Sequence, residues 1–129
     1  MRAWLLKWLP QAAVYVILPA LALVTWGELA AMPAAVELYL WDKLLHFIAY
    51  FGLSGFLCVA FKGDRRVLTS TLLIALFGAV LELLQGCAGR DPSLYDEMAN
   101  TLGAVSGAAV GWLALRLLKA KSLAPRVPS

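Results

Sequence analysis

Four apolar segments of about 20 residues each dominate this chain. They cover roughly residues 11–31, 44–61, 67–86 and 99–118. A helix of about 20 residues is long enough to cross the roughly 30 Å hydrocarbon core of a bilayer. Because short polar stretches join the segments, we expect an all-α, polytopic membrane protein whose four transmembrane helices form one bundle.

The composition excludes a water-soluble domain of this size. Of the 129 residues, 62% are hydrophobic and 15% are charged, and the mean hydropathy is +0.79. So short a chain cannot bury that much apolar surface in a soluble core. We expect residues 1–118 to form a single transmembrane domain and residues 119–129 to form a basic, disordered cytoplasmic tail.

The basic residues predict the orientation of the bundle. Nine of the eleven lysines and arginines lie near the N-terminus, between the second and third segments, or after the fourth. Lysine and arginine accumulate in cytoplasmic loops, so both termini are expected in the cytoplasm, with the chain in the inner membrane. Seven of the eight acidic residues then fall at the outer ends of the helices. Because the basic groups form no aromatic-interleaved patch, nucleic acid is not an expected partner.

An alternative for the first segment is a cleavable signal peptide. Ala30, Ala31 and Ala34 lie where a small-residue cleavage site would fall. The apolar stretch is longer than a typical signal core, and a bundle can accommodate Pro19. We therefore expect a retained helix.

Polar residues recur in the outer parts of the second, third and fourth segments. Burying them in lipid is costly, so each needs a partner or a water-filled cavity. Spacings of three or four place those of one helix on one face. In chain order they are Asp42, His46, Tyr50, Glu82, Gln85, Asp96 and Asn100. We expect all of them except Tyr50 to line one cup that opens to the outer side; the alternative is structural hydrogen bonding between helices.

A glycine stripe on the fourth segment predicts close helix packing. Gly103, Gly107 and Gly111 are four residues apart, in the small-xxx-small pattern that lets a neighbouring helix approach. Asp96 and Asn100 share this stripe, so the polar top of the helix is expected to point into the bundle. The same small-residue faces suit a homodimer.

The sequences of two segments resemble those of a known family. They read DKLLHFIAY from Asp42 and ELLQGCAGRDPSLYDEMANTLG from Glu82. Both resemble the VanZ-like family of small bacterial membrane proteins, over about residues 41–115. The founding member is associated with low-level teicoplanin resistance, so the resemblance implies an effect on glycopeptide susceptibility. Cys87 and Ala88 depart from the family, whose members more commonly carry an aromatic or proline-containing stretch there.

These residues favour recognition of an envelope molecule. Sugars and phosphates of a lipid-linked head group suit hydrogen-bonding side chains, and such a ligand could enter sideways from the outer leaflet. A glycopeptide-like ligand is a further expectation, and membrane lipids are expected partners. The candidate binding residues are Asp42, Lys43, Tyr50, Gln85, Arg90 and Asn100.

Chemistry at the head group is a further hypothesis. His46, Glu82 and Asp96 are the candidate catalytic residues for a hydrolase or transferase, with the imidazole as general base and a carboxylate to orient it. No cofactor is identified. A divalent metal would reconcile an anionic ligand with the excess of carboxylates, and its candidate ligands are His46, Asp42 and Asp96.

Two other function classes stay open at this point. A noncatalytic accessory subunit could shield an envelope component or dock on a larger enzyme. A proton or ion transporter could use the outer carboxylates together with Glu28 on the first helix. The inner halves of the spans carry few polar residues, which disfavours transport.

Overall fold

The computed structural model describes residues 2–30, 39–89 and 91–123. They form α1 (Arg2–Leu29), α2 (Tyr39–Ala60), α3 (Arg66–Cys87) and α4 (Leu94–Leu123), and these ranges contain no strand. Each of the four helices is long and apolar enough to cross a membrane. The predicted all-α architecture with four membrane-spanning helices is confirmed, and the chain is a membrane protein.

The helix boundaries differ from the predicted apolar segments. α2 begins at Tyr39, and α4 begins at Leu94 and ends at Leu123, so residues 119–123 are helical rather than part of a disordered tail. Lysine, alanine and leucine in this stretch favour helix, and the first proline after it is Pro125. The rest of the predicted tail, and the segment before Tyr39, lie outside the described residues.

The bundle has two chemically different ends. At one, here called the acidic end, α1 and α3 finish and α2 and α4 begin; Gln85 there donates a hydrogen bond to the Glu28 carbonyl oxygen. At the other, the basic end, the Lys119 ammonium group donates to the Lys62 carbonyl oxygen at 3.0 Å. Most large apolar side chains are exposed on the outside of the bundle, as expected where lipid is the solvent.

α2 and α4 approach each other at backbone distance along the glycine stripe. A methyl group added at Gly103 would collide with the Phe47 carbonyl oxygen, and one at Gly107 would collide with the Phe51 carbonyl oxygen. At Gly111 such a methyl would lie 3.1 Å from Cβ of Cys58. Only glycine permits this approach at the first two positions.

This packing predicts opposite outcomes for two glycines. Gly107→Ala should lower the free energy of unfolding by about 1–3 kcal/mol, because the α2 backbone blocks the new methyl group. Gly52→Ala is the matched control, since nothing lies within 4 Å of its added methyl group and alanine raises helix propensity by up to about 1 kcal/mol. Unfolding in detergent or bicelles measures both; equal effects would contradict the packing described here.

Candidate functional site

His46 lies at the centre of a buried polar network at the acidic end. Its Nδ1 atom is 3.0 Å from Oδ1 of Asn100 and 3.5 Å from Oε1 of Glu28. Its Nε2 atom is 3.8 Å from Oδ1 of Asp42, one helical turn earlier. His46 is 6% exposed and Asn100 is fully buried. Three helices, α1, α2 and α4, therefore meet at one imidazole ring.

The amide of Asn100 fixes how the imidazole is oriented. Its Nδ2 atom donates to Oε2 of Glu97 at 3.4 Å, which leaves Oδ1 as the atom that faces His46. An amide oxygen accepts, so Nδ1–H of His46 is the donor. In the neutral ring, the lone pair then lies on Nε2, on the side of Asp42.

Lys43 links the two outer carboxylates. Its ammonium group donates a hydrogen bond to Oδ1 of Asp96 and lies 3.5 Å from Oδ2 of Asp42. The three side chains are 10–25% exposed, so solvent screens this ion pair only in part. The pair joins the start of α2 to the start of α4.

Glu82 and Gln85 bond to neighbouring backbone. Oε2 of Glu82 accepts a hydrogen bond from the Ser93 amide at 2.9 Å, which fastens the loop before α4 to α3. Nε2 of Gln85 donates to the Glu28 carbonyl oxygen at 2.9 Å and so holds the end of α1. The other carboxylate oxygen of Glu82 is buried and has no hydrogen-bond partner among the described residues.

Gly78 makes room for the network from the side of α3. A methyl group there would lie 2.9 Å from Nδ2 of Asn100, Oε2 of Glu97 and Cε1 of Tyr50. Tyr50 is fully buried one helical turn after His46, and its hydroxyl group lies near the Glu28 carboxylate. The ring of Tyr50 packs against Phe77, with centroids 6.4 Å apart.

A groove between α1 and α2 leads to this network. Its volume is about 380 Å³, within the range of small-molecule sites. Glu28, Asp42 and His46 line one end, and the rest of the wall is apolar. The apolar lining consists of Ala20, Leu23, Val24, Gly27, Leu45, Ile48, Ala49, Gly52, Leu53 and Phe56. Since Leu23 and Ile48 are more than half exposed, the groove lies on the surface that faces lipid.

All the predicted site residues that the structure describes lie at the acidic end, but they do not line one cup. Of the six expected to do so, only Asp42 and His46 line the groove. The other four, Glu82, Gln85, Asp96 and Asn100, are buried between helices. In an apolar medium a polar side chain gains more from a nearby partner than from an open cavity, so these side chains turn to one another. Arg90 lies outside the described residues.

Glu28 is the residue that the binding-site prediction missed. It is 8% exposed and lies beside both His46 and Tyr50. One signal in the sequence pointed to it, since a carboxylate near the outer end of an apolar helix is costly without a partner. α1 has no polar stripe that would reveal its inward face, so the partner could not be named.

Asp42, His46 and Asp96 could together hold a metal ion. One ligand atom from each lies within 4.8 Å of the others. Two carboxylates and one imidazole suit a divalent transition metal better than magnesium or calcium. Lys43 contacts the same two carboxylates.

The fold and this network define a small helical membrane protein with a buried histidine–carboxylate cluster at one end. The sequence profile of the VanZ/LLP1 family matches residues 3–117, and the chain belongs to this family. The match includes the first helix, which the resemblance over residues 41–115 had left out. No curated protein and no solved structure matches the chain.

The network predicts a larger effect for Asn100 than for its neighbour. Asn100→Ala should lower the free energy of unfolding by about 1–3 kcal/mol, because it leaves the buried imidazole of His46 and the half-buried carboxylate of Glu97 without their partner. Thr101→Ala is the control, since Thr101 also bonds Glu97 but is exposed. Thermal unfolding of the purified variants measures the difference. A Thr101 effect as large as that of Asn100 would argue against the network.

Proposed function

We propose that this protein binds an amphipathic lipid of the cell envelope from the outer leaflet. The hydrocarbon chain lies along the groove between α1 and α2, and the head group meets the polar network around His46. The observation that carries this proposal is the groove itself, apolar along its length and polar at one end.

The dimensions of the groove fit one leaflet. On α2 the groove is lined from Asp42 to Phe56, and the part from His46 onward covers a helical rise of roughly 15 Å. This is about half of the roughly 30 Å hydrocarbon thickness of a bilayer. An acyl or isoprenoid chain that enters from one leaflet therefore has an apolar surface of matching length, with its head group at the depth of Asp42 and His46.

The side chains at the polar end favour a head group rich in hydroxyl groups. Asp42 and His46 offer acceptors to the groove, and sugar hydroxyls are suitable donors, whereas both carboxylate oxygens of Glu28 are buried behind the wall. A phosphate would meet repulsion from these carboxylates unless a cation offset it. The ligand class that fits is a lipid-linked sugar, or a phospholipid whose phosphate is separated from the carboxylates by a cation. In line with the family resemblance, we expect such binding to change susceptibility to teicoplanin.

Filling the groove should reduce the amount of lipid that the protein retains. Gly52 lines the groove and has open space around it, so Gly52→Leu places a side chain where the hydrocarbon would lie. We expect about tenfold less retained lipid, from an overpacking cost of about 1–3 kcal/mol. Ala109→Leu, at an exposed position on α4 outside the groove, is the control. Lipid extracts of protein purified in polymer nanodiscs, quantified by mass spectrometry, give the ratio; equal retention by both variants contradicts the proposal.

Hydrolysis or group transfer at the head group is a second candidate. It is favoured by the orientation of His46, whose Nδ1–H is held by Asn100 while Nε2 lies on the side of Asp42 at the groove. His46→Gln should then abolish turnover of the lipid recovered above while leaving its retention largely unchanged. Graded loss of retention in this variant, with no product formed by the native protein, would instead indicate an accessory protein that only binds.

The proposal requires the acidic end to face away from the cytoplasm, as the distribution of lysine and arginine predicts. Cys87, at the end of α3, is exposed, whereas Cys58 is buried. A membrane-impermeant maleimide should therefore label the native protein in intact spheroplasts, and Cys87→Ser should remove the label. Labelling confined to inside-out vesicles would reverse the orientation and exclude an outer-leaflet ligand.

A further inference from the structure

Two acceptor atoms face each other at the polar end of the groove. Nε2 of His46 and Oδ1 of Asp42 are 3.8 Å apart. Because Nδ1–H of His46 is the donor to Asn100, the neutral ring presents a lone pair to the carboxylate. A positive charge or a proton between the two atoms would relieve the repulsion of their lone pairs.

The surroundings add negative charge to this point. Within the described part of the chain, the cluster contains five carboxylates and one ammonium group; the carboxylates belong to Glu28, Asp42, Glu82, Asp96 and Glu97, and the ammonium group to Lys43. Glu82 interacts electrostatically with both His46 and Asp96. It is 5% exposed, and one of its oxygens has no hydrogen-bond partner among these residues. A partly buried excess of carboxylates over ammonium groups favours binding of a cation.

We propose that Asp42, His46 and Asp96 bind a divalent transition-metal ion in exchange with the ammonium group of Lys43. The three ligand atoms lie within 4.8 Å of one another, close enough to share one ion. Asn100 accepts from the ring nitrogen that does not bind the metal, which is the usual support for a metal-bound histidine.

The ammonium group of Lys43 would compete with the metal ion for two of its carboxylate ligands. Its ammonium group contacts Asp96 and Asp42, the same two carboxylates that would bind the metal. The flexible stem of lysine allows the charge to swing out when a doubly charged ion enters. Lysine therefore keeps the carboxylates compensated while the metal is absent. The released ammonium group and the ion would both attract an anionic head group; this last step alone rests on the proposed function.

Zinc titration of the full-length, chelator-treated protein in lipid nanodiscs tests the site. We expect one Zn²⁺ per chain, with the affinity lowered more than about tenfold by His46→Gln and by Asp96→Asn. Asp91→Asn, which removes an exposed carboxylate at the same end, is the charge-matched control and should bind as the native protein does. Equal affinities in all four proteins would overturn the inference.

The exchange with Lys43 gives a second test of opposite sign. Lys43→Met should raise the zinc affinity about tenfold, because it removes the competing charge from both carboxylates. If the variant is unstable without metal, Zn²⁺ should raise its melting temperature more than that of the native protein. A variant with neither a gain in affinity nor a larger rise in melting temperature would contradict the exchange.

Manganese provides a spectroscopic signature of the ligand. Pulsed EPR of the Mn²⁺-loaded protein should show coupling to an imidazole nitrogen, and His46→Gln should remove it. Absence of nitrogen coupling in the native protein would refute His46 as a ligand.

The metal site and the lipid groove can be tested separately. Gly52→Leu, which fills the groove, should bind zinc with the same affinity as the native protein. If the protein binds no zinc but Gly52→Leu still lowers lipid retention, only the metal site is overturned. If the protein binds zinc but Gly52→Leu leaves lipid retention unchanged, only the proposed function is overturned.

Discussion

The backbone contact between α2 and α4 is the constraint on which the polar network depends. Gly103 and Gly107 let α4 lie directly against the carbonyl groups of Phe47 and Phe51. In a membrane there is no hydrophobic effect to drive helices together, so close van der Waals packing has to do so. At this separation a short side chain such as Asn100 on α4 can hydrogen-bond to His46 on α2. A wider spacing would leave both groups without partners in an apolar medium.

The network in turn connects the helices that glycine packing does not hold. Gln85 on α3 reaches the end of α1, Glu28 on α1 reaches His46, and Glu82 holds the loop that leads into α4. A polar contact of this kind is worth about 0.6–2 kcal/mol in a membrane bundle. The same network therefore stabilises the bundle and includes His46, which lines the polar end of the groove, so a structural role and the proposed binding role are compatible.

Much of the site could be predicted from residue spacing alone, because a helix fixes which side chains share a face. Asp42 and His46 on one helix, and Asp96 and Asn100 on another, were expected to meet, and they do. The role of Glu28 was not predictable, since α1 has no polar stripe to show which face it turns inward. The apolar groove was not predictable either, because it forms where the surfaces of two helices separate.

The sequence by itself determined the number of helices, their helical and membrane-spanning character, and the end of the bundle at which the polar residues lie. Those properties follow from the length and hydropathy of local segments and from a period of about 3.6 residues per turn. Only the tertiary structure decided that Lys43 joins Asp42 to Asp96, that Glu28 completes the surroundings of His46, and that the groove opens between α1 and α2. These depend on the rotation and separation of whole helices, which are set by the sum of many contacts and by no single segment of the chain.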